Sequence, residues 1–244
     1  WGLSYELPGK KSAELTLGEK LPGKEKQTGK HLVALEELAA VADELLAYHA
    51  WAEDVGPDGK PRRTMSDIYF AEVSPFEEIL REATSDGGMP GGGKPQATDE
   101  SLNLQKEIIS ATWNLKRRET AATPSPGYAD DAQTIALSQA KALEKLAEAK
   151  EKLLPPHAGA TVAAAEPAMQ SALLALNAAA KENALPPLDE ALKHEQAAYQ
   201  GLLKLRARET QVMRSKGKSA GGGGQQSAAG QNLDELELSN EGQR

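Results

Sequence analysis

The chain has 244 residues, a net charge of −8 and 39% hydrophobic residues, of which only 4% of the total are aromatic. With so few large side chains, any core must be small and aliphatic, or much of the chain must stay outside one. The absence of cysteine excludes disulfides, thiol catalysis and Cys-based metal or iron–sulfur sites, and the acidic balance argues against nucleic acid as a partner.

Residues 1–80 read as β-structure. Trp1–Leu7 and Ala13–Leu17 are short strands on either side of Pro8-Gly9-Lys10-Lys11, a hairpin turn by composition. Lys30–Leu38 fits either period, and strand is preferred. Leu45–Glu53 is a strand with Tyr48, Ala50 and Ala52 on one face and His49 and Trp51 on the other. Asp54–Arg63 is a loop turning at Pro57-Asp58-Gly59, and Thr64–Val73 is one further strand ending before Pro75. Strands at this spacing predict a partial antiparallel sandwich of the immunoglobulin or fibronectin kind. The chain opens on Trp with no signal peptide, so the expectation is a processed piece whose sandwich is truncated at its amino end.

Residues 81–98 form a linker, Gly/Pro-rich from Thr84 onward, where limited proteolysis is expected to cut first between two independently structured parts. Residues 99–216 predict an all-α bundle or coiled-coil region, giving an α+β chain overall. Its first helix spans about 99–121, with Thr98 as N-cap and a core stripe of Leu104, Ile108, Ala111 and Leu115 flanked by Ile109 and Trp113. The second, about 129–153, buries Ile135, Ala142, Leu146, Ala149 and Leu153. The third, about 161–183, buries Val162, Met169, Leu173, Leu176 and Ala180, with a kink or early break at Pro167. The fourth, from Pro187 to about Arg214, buries Ala191, Ala198, Leu202, Leu205 and Val212 beside Tyr199. Narrow apolar stripes make each helix dependent on its neighbours. Residues 217–244 are a Gly-rich tail closing on Leu233, Leu236 and Leu238 among acids, read as a docking helix or the start of a further one.

The chemistry-bearing motifs are weak. His31, His49, His157 and His194 show no ligand spacing, so each reads as structural or solvated. Gly217-Lys218-Ser219-Ala220-Gly221 matches a nucleophile elbow in letters but lacks the strand before it. Glu53, Asp54, Asp58 and Asp67 flank one loop and invite comparison with a calcium site. Their spacing is not that of an EF-hand, and ion pairs with Lys60, Arg62 and Arg63 account for them better. Lys116-Arg117-Arg118 complements the C-terminal dipole of the first helix. The expectation is therefore no catalytic residue, no cofactor and no metal, with Trp113 packed in the helical core.

Ser66-Asp67-Ile68-Tyr69-Phe70-Ala71-Glu72-Val73-Ser74-Pro75-Phe76, then Gln105-Lys106-Glu107-Ile108-Ile109-Ser110-Ala111-Thr112-Trp113-Asn114-Leu115, followed in order by the alanine-rich helices, Gln211-Val212-Met213 and the Gly-rich tail, carry a resemblance. Together they resemble a domain-of-unknown-function family of large membrane-anchored envelope proteins from planctomycetes, verrucomicrobia and acidobacteria. The resemblance spans about Asp54 to Gly224 and implies an extracytoplasmic envelope location, tethered by a membrane segment outside these residues. It brings no catalytic or ligand-binding residues. The functional expectation is a non-catalytic structural or protein-interaction module, bound to a protein partner or to itself through its helices, with no nucleic acid and no membrane insertion. The alternative is a tetratricopeptide-like helical-repeat adaptor holding a peptide.

Overall fold

The computed structural model describes residues 1–10, 12–19, 26–74, 97–121, 123–152 and 159–221, with side chains omitted at 97, 151–164 and 209–221. Five strands precede four helices, so the chain is α+β. The strands are β1 (Gly2–Glu6), β2 (Ala13–Thr16), β3 (Leu45–Val55), β4 (Pro61–Met65) and β5 (Tyr69–Glu72). The helices are α1 (Ala97–Arg118), α2 (Tyr128–Lys152), α3 (Gly159–Glu182) and α4 (Pro186–Gly221).

All five strands join one antiparallel sheet in the order β2-β1-β3-β4, with β5 also pairing with β3. Among the described residues there is a single sheet rather than two facing layers. The β1–β2 connection turns where Lys10 N–H donates to Leu7 O at 3.0 Å, with Pro8 and a positive-φ Gly9 at its centre, as a type II turn requires. The β3–β4 hairpin closes at Pro57-Asp58-Gly59. Gly59 takes φ 77° there, and its N–H donates to Gly56 O at 2.9 Å. The ladders run closer to this turn than composition suggests, so part of the expected 54–63 loop is strand.

β3 organises the sheet because its length serves two partners on one edge. Residues 51–55 pair with β4 and residues 45–48 with β5. The stretch expected to be one strand, Thr64–Val73, is therefore broken at Ser66–Ile68. Ser66 causes the break chemically, since its hydroxyl accepts from Ala50 N–H at 2.9 Å and donates to Asp67 O at 2.7 Å. A second correction concerns Lys30–Leu38, which forms no strand. Its end is a tight turn in which Ala39 N–H donates to Glu36 O and Ala40 N–H to Leu35 O, with Ala39 at φ 48°. The Glu36-Glu37 pair and its alanine neighbours favour local turn bonds, and β3 already has both edges occupied.

Trp1–Leu205 forms one compact unit, and a second begins at Arg206. Within the first unit sheet and helices share one core, in which Leu45, Ala47 and Ile68 join Ile109, Tyr128, Leu146, Met169 and Leu202. Residues 1–74 and the helical region are thus packed together, not as separately cored parts. The 81–96 stretch of the expected linker, His157, Leu153 and the 222–244 tail lie outside the described residues, as do the side chains of Val162 and Val212.

Helix limits and faces depart from the apolar pattern in instructive ways. α1 begins at Ala97, which places Thr98 inside the first turn, where it is buried. Ala111 is exposed, and the buried stripe of α1 runs through Leu102, Gln105, Ile109, Thr112 and Trp113. α3 runs unbroken through Pro167. It ends at Asn183, whose φ of 49° is the left-handed cap conformation that asparagine tolerates. α2 and α4 bury the residues expected of them where these are described, together with Tyr128, Gln139, Glu195 and Gln196. α4 can approach α3 closely only because residue 201 is glycine. A Cβ there would stand 2.8 Å from Ala165 Cα.

Candidate functional site

The break at Ser66 exposes a backbone carbonyl toward the helices, and α1 uses it. Trp113 Nε1–H donates to Ser66 O at 2.9 Å, and the indole ring lies 4.4 Å from the His49 ring. Trp113 is 6% exposed. It is packed as expected, but against the sheet as much as the helices. Burial holds the His49 imidazole below its usual range, with the Glu6 carboxylate opposing and Lys116 reinforcing that effect.

Around this junction β1, α1 and α4 enclose a cleft of about 320 Å³ lined by Glu6, Trp113, Lys116, Asp189, Leu192 and Gln196, with Lys193 at its rim. Its lining combines carboxylates, ammonium groups, an amide and an indole. Its polar groups are bound to one another. Gln196 Nε2 donates to Glu6 Oε1 at 3.1 Å, Lys116 Nζ pairs with Asp189, and Lys193 Nζ reaches Glu190 at 2.7 Å. Farther along the same junction the Tyr199 hydroxyl donates to Glu72 at 2.9 Å, and its ring stacks over Phe70.

Behind the cleft lies a group that the sequence hides. Glu195 is fully buried on α4, and its Oε1 accepts from the Thr112 hydroxyl of α1 at 2.8 Å. Its Oε2 has no partner. Burial pushes its carboxyl up to about 8, with the Thr112 hydrogen bond opposing. Glu195 is therefore a neutral acid at pH 7, and it does not line the sheet–helix cleft. A second buried polar contact is the reciprocal amide pair of Gln105 and Gln139, at 3.0 and 3.2 Å. On a helical wheel all four fall among mainly apolar neighbours at i±3 and i±4, as Glu195 does between Ala191, Leu192, Ala198 and Tyr199, and that placement is the sequence signal of their burial.

The motifs singled out from sequence are scattered. His31 stacks on Tyr5 at 6.2 Å, at the outward side of the sheet, and His194 sits on α4. Gly217–Gly221 is the end of α4, so Ser219 follows helix and not strand. The acidic loop is tied up by cations. Arg62 Nε donates to Asp54 at 3.0 Å, Arg63 Nε to Glu53 at 2.7 Å, Asp58 accepts from Lys60 N–H, and Asp67 pairs with Arg117. Among the described residues no group of three metal-ligating side chains converges. The basic run ending α1 does more than answer a dipole. Lys116 reaches α4, Arg117 the sheet and Arg118 Asp131 of α2, so three successive cations fasten one helix to three elements.

No helix among the described residues is long and apolar enough to cross a membrane. No protein-family model, curated protein or solved structure matches the chain.

Proposed function

We propose that this chain is a non-catalytic module that works by holding protein partners. The observation that supports the reading is the mutual pairing inside the sheet–helix cleft, where Glu6, Gln196, Lys116 and Asp189 are engaged with each other and Trp113 with Ser66. Nucleophilic chemistry needs a nucleophile within reach of a substrate and activated by a neighbouring base, and the residues lining this cleft include no serine, threonine or histidine to form such a pair. Apolar side chains are meanwhile presented outward on the helices at Leu137 and Leu174. Placement in a bacterial envelope, tethered from outside these residues, is part of the proposal on the strength of the resemblance around Ser66–Phe76 and Gln105–Leu115. An immunoglobulin-like sandwich would require a second sheet beyond the described strands. The helices on the inner face of the present sheet favour a sheet-capped helical module instead. The test is affinity capture with the whole chain from the source membrane fraction, alongside a broad hydrolase and transferase screen. A specific partner without turnover is the expected result. Reproducible turnover abolished by changing one acid, one histidine or Ser219 would overturn it.

A further inference from the structure

α3 differs from its neighbours on the side that faces away from the core. Between Pro167 and Ala180 its sequence carries no ionisable side chain. The outward faces of α2 and α4, by contrast, expose Lys141, Glu144, Lys145 and Glu148, and Asp189, Glu190 and Lys193. Met169, Ala172, Leu176 and Ala179 are fully buried on its inner side. At 100° per residue Gln170, Leu174, Asn177 and Lys181 fall opposite them, and all four are exposed, Leu174 to 71%. The uncharged run is bounded by opposite charges, Glu166 at one end and Lys181 at the other.

We propose that this face is where two copies of the chain pair, α3 lying antiparallel to its counterpart about a two-fold axis between Leu173 and Leu174. The inference deepens the protein-holding reading above by naming the partner, and it rests on that reading. The residue order is what selects a second copy. In an isologous contact each position meets the one equally far beyond the axis. Glu166 then faces Lys181 of the other copy, twice, and Gln170 faces Asn177. Both of these pairs lie on one flank of the helix, as antiparallel seams require, and Leu174 sits beside the axis. Glu166 is held at 3.1 Å by Lys150 of α2, so its carboxylate is already presented in a fixed position. Chains of net charge −8 repel each other, and between Pro167 and Ala180 this face brings no charge of its own to the contact. Small side chains at Ser171 and Ala178, beside Leu174 on the helix surface, let the backbones approach. The seam is only about 20 Å long, so the dimer is expected to dissociate readily on dilution.

The lack of cysteine makes the test direct. In the full chain Leu174→Cys should give a disulfide-linked dimer under mild oxidation, whereas Leu137→Cys, exposed on α2, should not. Register is read by mixing two further variants. Glu166→Cys and Lys181→Cys should cross-link to each other but not each to itself, because the axis separates like positions by about 22 Å. Sedimentation equilibrium of the unmodified chain should show mass rising with concentration, and Leu174→Glu should abolish the rise. A monomer at every concentration, equal cross-linking at 174 and 137, or a 174 thiol shielded in a monomer by the chain's own residues 222–244 would each overturn the proposal. Turnover in the enzyme screen would defeat the protein-holding reading while leaving these cross-links unexplained by it, so the two failures are distinguishable.

Discussion

Glu195→Gln should change the pH dependence of folding more than any other single substitution in the helices. In the folded chain the carboxyl is fully buried and bonded only to Thr112, and its protonation midpoint rises from the ordinary 4.5 to about 8. Between those two values the folded state keeps a proton that the unfolded chain has released. Stability then falls as pH rises, by about 1.4 kcal/mol per pH unit, and the loss ends once the folded group also ionises. From pH 6 to pH 8 this one residue should remove on the order of 2–3 kcal/mol, a large share of the roughly 5–15 kcal/mol that typically separates folded from unfolded states. Glutamine keeps an acceptor for Thr112 and cannot ionise, so the variant should lose this slope. Urea titrations of both chains at several pH values between 5 and 9 give the comparison, with the difference between them cancelling other titrating groups. Histidine 49, held neutral, contributes with the opposite sign in both chains, since its stabilisation is lost as pH falls through the ordinary imidazole range. Parallel slopes for the two chains would refute the reasoning and mean that water or a neighbour relieves the buried oxygen.

Trp113→Ala removes a buried ring and its bond to Ser66 O, and should cost about 3–5 kcal/mol by chemical denaturation. Trp113→Phe keeps most of the packing and should cost clearly less; equal losses would show that the ring's burial is not what matters. Gly201→Ala forces a methyl to within 2.8 Å of Ala165 Cα, and a loss of about 1–3 kcal/mol is expected, measurable as a lowered thermal midpoint. Lys10→Met strips the ammonium from the buried Glu44, leaving that carboxylate only the Val41 N–H. Although burial pushes the Glu44 carboxyl up, Lys10 and Val41 together hold it below its usual range, and the stability they confer is lost as pH falls through that lowered midpoint. The variant should therefore be about 1–3 kcal/mol less stable at pH 7, with the gap to the parent chain closing as pH falls through the lowered Glu44 midpoint.

The legible parts of the fold were those in which side-chain burial follows polarity. β2 alternates plainly, and Trp51 on β3 is buried beneath Arg63, whose guanidinium lies 4.3 Å from the ring centre. The helices were found because their apolar residues recur at three and four. What escaped was every case in which a polar group goes inside. Gln105 and Thr112 widen the buried face of α1 beyond its apolar stripe while Ala111, on the expected stripe, is exposed, and Gln139 and Glu195 lie within the buried faces of α2 and α4. Ser66 broke a strand through hydrogen bonds that no periodicity records. The junction of Trp113 with His49 and Ser66 joins residues more than forty positions apart, and neither one's local pattern points to the other.

The Gln105–Gln139 pair has a consequence for how the helices find each other. Alanine-rich surfaces are smooth, and two such helices can slide by a turn and still touch apolar groups to apolar groups. Here a slip of one turn, about 5.4 Å, would carry both amides away from their reciprocal partners inside a region closed to water, stranding donors and acceptors at about 1–3 kcal/mol each. The two glutamines thus act as a vernier mark between α1 and α2. They make one alignment distinguishable from its neighbours in a chain too poor in large side chains to do so by shape alone.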